Sequence, residues 1–217
     1  MIGRLLGRWR RSGSDGWRRE LDALEAEMAR SPEERDIATL VPIILPPECL
    51  SDDWPGPIIP LGRLPFALAW ATVPAQNRFV YLTHEQANYW QDAGIDWRLE
   101  AMRNLGRISQ GRWWGDKCDE AGKPFVLALL PDDALGPSRL LLPHLFDDVL
   151  GAPYQVCIPE QTCAIAYRTE LSASQRADVD AMIEGCFRQG TEPMSDERFK
   201  AADFWISMDD RSLETDG

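Results

Sequence analysis

The chain has 217 residues, of which 44% are hydrophobic, and carries a formal net charge of −12. That length suits one large domain or one domain with appendages, and the hydrophobic content exceeds that of disordered chains. The acidic balance argues against general nucleic-acid binding, which usually needs a basic surface. The sequence contains no apolar run of the roughly eighteen residues that a membrane-spanning helix needs.

Five cysteines occur without a C-x-x-C pair, which argues against both a disulfide framework and a zinc ribbon. Reduced thiols in the cytoplasm are the simplest interpretation. The basic N-terminus is followed by no apolar segment of the kind that a secretory signal contains. We therefore expect a cytoplasmic protein.

Residues 1–34 are expected to form a basic arm followed by an amphipathic helix. Residues 1–19 contain six arginines and one acidic residue, and apolar residues recur at helical spacing over positions 2–9. Such a segment can lie on anionic lipid or dock a partner, so weak membrane-surface contact through residues 1–12 is one prediction. Two internal glycines weaken that helix, and a solvated arm is the simpler alternative.

The segment 41–65 contains seven prolines. Proline lacks the N–H that a helix interior or a central strand requires, so the segment is interpreted as an extended connection. Strands are then predicted at 66–72 and 78–82. Helix N-caps are predicted at Thr83 and Asp96, each preceding a run of helical periodicity.

The C-terminal half predicts the order strand, helix, strand, strand, helix, strand. The strands are expected at 125–130, 154–158, 162–168 and 203–208, and the helices at 137–150 and 173–190. That order favours a ferredoxin-like or related two-layer unit. We therefore predict one α+β domain over residues 35–210, with helices packed mainly on one face of an antiparallel sheet. A loose acidic tail is expected at 211–217.

Four stretches of the chain carry a resemblance. They are EAMRNLGRIS (100–109), LPDDALGPSRLLLPHLFDDVLG (130–151), YQVCIPEQTCAIAY (154–167) and FRQGTEPMSDERF (187–199). In order and spacing they resemble the YtpQ-like family of bacterial proteins, which carries a domain of unknown function. The resemblance implies a cytosolic α+β protein and brings no known activity or cofactor.

His144 and Asp148 are candidates for a metal site in the predicted helix. On a helix they share one face, so they could hold one metal ion between them. Two ligands do not make a site, and the only other histidine, His84, is distant in sequence. A solvated helix face is the simpler interpretation, and no metal ligand is assigned.

Arg139, beside Ser138, is the stronger candidate of the same stretch. A cation in the first turn of a helix opposes the helix dipole, so Arg139 is expected to pair with Asp132 or Asp133. The alternative is an anion-binding site made by Arg139, Ser138 and the free N–H groups of the turn.

Two cysteines are candidates for a redox pair. If residues 159–161 form a three-residue hairpin loop, Cys157 faces Cys163 across the two strands. Directly opposed strand residues have Cβ atoms about 4.5–5.5 Å apart, which comes close to disulfide geometry. Two buried, reduced thiols are the alternative.

Trp113 and Trp114 lie in a polar, glycine-rich stretch. Exposed aromatic residues in loops can bind a partner surface, whereas packing against the core is the simpler alternative.

The sequence contains none of the common catalytic or nucleotide-binding motifs, so no catalytic residue and no cofactor are assigned. We therefore predict a non-enzymatic protein-binding or accessory module with a protein partner. The alternative is an enzyme of unrecognised type with an anion site near Arg139.

Overall fold

Two antiparallel sheets form the framework of the fold. The computed structural model describes residues 25–26, 28–73, 79–111, 114–130 and 133–205. The first sheet contains β1 (Leu40–Leu45), β2 (Ile58–Pro60), β3 (Ala67–Thr72) and β4 (Val80–Tyr81). The second contains β5 (Gly115–Cys118), β6 (Pro124–Leu129), β7 (Tyr154–Glu160), β8 (Cys163–Arg168) and β9 (Phe199–Lys200). Residues 1–24 of the predicted basic arm and amphipathic helix at 1–34 lie outside the described residues, as does the predicted acidic tail at 211–217.

The first sheet has β3 at its centre. β1 pairs with one side of β3, and both β2 and β4 pair with β3 as well. The proline-rich segment therefore supplies β2 and most of β1, which corrects the prediction of an extended connection. Pro42 in β1 and Pro60 in β2 are tolerated because these strands lie at the sheet edges, where a missing N–H breaks no central ladder.

The second sheet has the order β5-β6-β8-β7-β9. The predicted C-terminal order of strands and helices is confirmed, but its last strand is Phe199–Lys200 and the prediction of 203–208 is wrong over its described part. Residues Ala201–Phe204 form a 3-10 turn instead. The carboxylate of Asp203 accepts a hydrogen bond from the N–H of Lys200 at 3.3 Å, and such local bonds compete with strand pairing.

Four α-helices are described, and side-chain caps begin three of them. They are α1 (His84–Asp92), α2 (Trp97–Ile108), α3 (His144–Leu150) and α4 (Ala173–Gln189). Thr83 and Asp96 cap α1 and α2 as predicted, by accepting backbone N–H groups. Ser172 caps α4.

The helix predicted over 137–150 is interrupted. Pro137–Leu141 forms a 3-10 turn, and α3 begins only at His144. Pro143 explains the break, because its ring would clash with the carbonyl four residues earlier in a continuous helix.

The main core lies between the two sheets. Leu68 and Trp70 of β3 share one buried cluster with Val156 and Ala166 of the second sheet and with Phe146 of α3. The opposite face of the second sheet is covered by α4, while residues of α1, α2 and α3 belong to the main core cluster. This follows from β8, whose run CAIAY is apolar on both faces and needs cover on each.

Candidate functional site

The side chain of Arg139 is only 1% exposed. Its Nη1 donates to Oδ1 of Asp133 at 2.9 Å, and its Nη2 donates to Oδ2 of the same carboxylate. Its Nε donates to the hydroxyl of Ser109 at 3.1 Å. The predicted ion pair is therefore present, with Asp133 as the partner, while Asp132 lies outside the described residues.

Arg139 acts as a structural clamp. It joins the loop before the 3-10 turn to Ser109, the residue that ends α2. Burial raises the pKa of Asp133, but the hydrogen bonds from Arg139 and Leu135 and the charge of Arg139 outweigh burial and hold that pKa below its ordinary value. Ser138 is buried beside the clamp. With its guanidinium directed at Asp133 and Ser109, Arg139 offers no open anion site in this arrangement.

His144 and Asp148 both lie exposed on α3, which agrees with a solvated helix face. Within the described ranges, no group of three or more histidine, cysteine, aspartate or glutamate side chains is placed to hold a metal ion. Trp114 is half-buried and packs against the main core, which favours the packing interpretation for this residue. Trp113 lies outside the described residues.

The prediction that Cys157 faces Cys163 is wrong. The register of β7 and β8 places Cys157 opposite Ile165, and Cys163 opposite Glu160, with an irregularity between the two pairs. β7 continues through Pro159, which cannot donate a ladder hydrogen bond, so the register shifts there.

Cys163 instead contacts Cys186, a residue that sequence reasoning missed. The thiol of Cys163 donates a hydrogen bond to the sulfur of Cys186 across 3.6 Å. The sequence of α4 does indicate that Cys186 lies on the buried side of the helix. Val179, Ile183 and Cys186 recur at helical spacing and therefore share one face. That face packs on β7 and β8.

A groove of about 180 Å³ lies where three loops meet. Its walls are residues 46–48 after β1, residues 65–66 before β3, and residues 193–195 with Glu197 before β9. Because β1 and β3 are antiparallel, the end of one strand adjoins the start of the other, which brings the first two loops together.

The third wall of the groove belongs to the second sheet. The N–H of Met194 donates to the carbonyl of Pro159 at 3.1 Å, and the N–H of Ser195 donates to that of Ile158 at 3.0 Å. Phe66 is buried under the groove, with its ring edge-to-face against Phe199 at 5.4 Å between centroids. The groove thus lies at the junction of the two sheets, above the packed rings of Phe66 and Phe199.

The chemistry of the groove combines apolar walls with negative charge. Prolines, Phe66 and Met194 provide the apolar surface, while Glu48 and Glu197 are exposed at its sides. Neither carboxylate is paired with a cation among the residues that the structure describes. The space is smaller than the roughly 300–1,000 Å³ of small-molecule pockets, and it suits a single inserted side chain.

No family model matches the chain, and comparisons with curated proteins and with solved structures likewise find no match. The resemblance to the YtpQ-like family therefore stays a prediction from the four motifs. In the part of the chain that the structure describes, no helix is both long enough and apolar enough to cross a membrane.

Proposed function

We propose that the protein is a non-enzymatic binding module whose groove receives an arginine or lysine side chain from a partner protein. One observation carries this proposal: apolar walls and two carboxylates without a cation partner among the described residues meet in a groove that fits one side chain. Long cationic side chains bury an aliphatic stem on apolar surface while the charged end reaches an acidic group. The net charge of −12 favours association with a basic partner.

The architecture around the groove supports recognition of a preformed shape. Hydrogen bonds to β7 hold the wall at Met194 and Ser195, and the prolines at 46, 47 and 65 restrict the backbone of the other two walls. A rigid groove loses little conformational entropy on binding, which improves affinity for a given contact area. No disulfide joins the cysteines of the described residues, and this supports the further proposal that the protein works in the reducing cytoplasm.

Selection from a random peptide display library tests the proposal. We expect the full chain to enrich peptides in which arginine or lysine adjoins apolar residues. In fluorescence anisotropy, a selected peptide should bind the Glu48→Gln/Glu197→Gln double variant about tenfold more weakly, a change of about 1.4 kcal/mol in binding free energy. Affinity for the wild-type chain should fall as salt is added, because exposed charge pairs are screened.

A matched control is Glu120→Gln/Glu170→Gln, which removes the same charge at two exposed positions. Glu170 lies two residues beyond the end of β8 that is remote from the 193–195 wall, and Glu120 lies in the turn between β5 and β6. This control should keep the wild-type affinity. Enriched peptides that lack basic residues, or equal weakening by both double variants, would contradict the proposal.

A further inference from the structure

Three cysteines gather on the face of the second sheet that α4 covers. Cys157 and Cys163 are buried in one apolar cluster, and Cys186 packs against it from α4. The thiol of Cys157 donates to the carbonyl of Ser195 at 3.4 Å. The thiol of Cys163 donates to the sulfur of Cys186. The geometry therefore singles out Cys163 and Cys186 as a pair and leaves Cys157 outside it.

We propose that Cys163 and Cys186 form a redox-active dithiol, which a hydroperoxide converts into a disulfide that joins β8 to α4. The two sulfurs are 3.6 Å apart, and they need to approach by about 1.5 Å to reach the disulfide bond length of about 2.0 Å. This site is separate from the groove, and the inference does not depend on the proposed binding function.

The two thiols have different roles because their surroundings differ. Cys163 is 1% exposed, whereas Cys186 is only half-buried, in the last turns of α4. The hydrogen bond from Cys163 lowers the pKa of Cys186 to about 7, outweighing burial and the negative charge of Glu160. The same hydrogen bond, together with burial, raises the pKa of Cys163. Cys186 is therefore the attacking thiolate, and Cys163 is the thiol that resolves the product.

The reaction balances in two steps. The thiol of Cys186 first loses its proton to solvent. Its thiolate attacks one oxygen of hydrogen peroxide, so that an S–O bond forms, the O–O bond breaks, and the departing hydroxide takes a proton from solvent and becomes water. Cys163 then loses its proton to solvent, and its sulfur attacks the sulfur of the Cys186 sulfenic acid. The S–S bond forms, the S–O bond breaks, and the departing hydroxide is protonated to water. With hydrogen peroxide, two thiols and one peroxide give one disulfide and two waters.

Peptide mapping of the full chain after hydrogen peroxide treatment tests the proposal directly. Digestion after arginine, lysine and glutamate separates Cys157 from Cys163 at Glu160, so the expected product is residues 161–168 joined to residues 185–188. Free thiols counted after unfolding should fall from five to three, and dithiothreitol should restore them. A Cys157→Ala variant should give the same linked peptide, while Cys186→Ala should give none.

Alkylation by iodoacetamide as a function of pH supplies a second readout. The rate at Cys186 should rise with a midpoint near pH 7 in the wild type and above the ordinary thiol value of 9.0 in Cys163→Ala, because the donor is lost while burial and the charge of Glu160 remain. The exposed thiol of Cys118 serves as the internal reference. Absence of the linked peptide from oxidised wild-type protein would overturn the proposal. Equal midpoints for Cys186 in the two proteins would overturn it as well.

Discussion

The guanidinium of Arg139 meets the carboxylate of Asp133 at two points, six positions apart in the chain, with Nη1 to Oδ1 at 2.9 Å. The arginine is 1% exposed and the aspartate side chain 35% exposed. Removing the partner of a buried cation lowers the free energy of unfolding far more than breaking an exposed ion pair does. The clamp therefore belongs among the features that set the stability of the fold.

Asp133→Asn should lower the free energy of unfolding by about 3 kcal/mol, since it removes the negative charge that accepts two hydrogen bonds from the buried guanidinium. Chemical denaturation followed by tryptophan fluorescence measures this. The matched control is Asp180→Asn, which breaks the exposed ion pair with Arg198 and should cost at most about 1 kcal/mol. Equal losses in the two variants would show that the clamp contributes no more than a surface pair.

The contribution of Asp133 should also depend on pH. Its pKa in the folded chain lies below the ordinary value of 3.8, so the ionised form stabilises the folded state. This stabilisation is fully present above pH 3.8 and is lost as the pH falls through the lower pKa of the folded protein. The difference in Tm between wild type and Asp133→Asn should be constant near neutral pH and should shrink under acid. A difference that grows on acidification would contradict the assignment.

Asn104 provides a second clamp, between α2 and the start of the first sheet. Its amide donates to the carbonyls of Ile37 at 2.8 Å and Leu40 at 3.0 Å. Asn104→Leu should lower the free energy of unfolding by about 2–3 kcal/mol, because these carbonyls then lose their donor. Asn88→Leu, at an exposed position of α1, should change it by about 0.5 kcal/mol or less. If chemical denaturation gave the two variants similar losses in the free energy of unfolding, the hydrogen bonds of Asn104 would have no special role in stability.

Local signals in the sequence predicted the helix caps and most strands of the C-terminal half. Thr83 and Asp96 were predictable because a cap depends on residues only two or three positions away. The pairing of β1 with β3 was not predictable, because it joins distant segments and tolerates Pro42 only at a sheet edge. Long-range pairing with β3 is therefore the reason that parts of the proline-rich segment form strands.

The candidate sites also divide into one that local sequence predicts and others that depend on long-range packing. An acidic partner for Arg139 was predictable from its position near a helix start, and Asp133 was one of the two proposed. The contact of Cys163 with Cys186 was not, since it depends on a register shift in β7 and on how α4 docks. The groove escaped prediction for a similar reason: its three walls come from loops that are far apart in sequence.

Two of the four motifs from which the YtpQ-like resemblance is predicted have structural roles here. Asn104 belongs to the first motif and holds α2 to the first sheet. Arg139 belongs to the second and clamps the loop before the 3-10 turn. The fourth motif, at residues 187–199, includes the wall of the groove that pairs with β7. A motif can therefore mark a packing requirement as readily as a binding surface.

Gly136 fixes the position of the 3-10 turn that carries Arg139. A Cβ at this residue would lie 2.2 Å from the carbonyl oxygen of Leu129 and 2.9 Å from that of Thr162. Both are backbone atoms of the second sheet or its hairpin and cannot rotate away, so Gly136→Ala should destabilise the fold by about 1–3 kcal/mol through overpacking. Thermal unfolding should show a lower Tm.

Gly185→Ala is the matched control for this prediction. Gly185 lies inside α4, and a Cβ there would meet nothing within 4 Å. Alanine is favoured over glycine in a helix interior, so Gly185→Ala should stabilise the protein by about 0.5–1 kcal/mol. The same chemical change should thus have opposite signs at the two positions. A Tm that rises in both variants would mean that the turn can move away from Leu129, and that its close approach to the sheet does not restrict the position of Arg139.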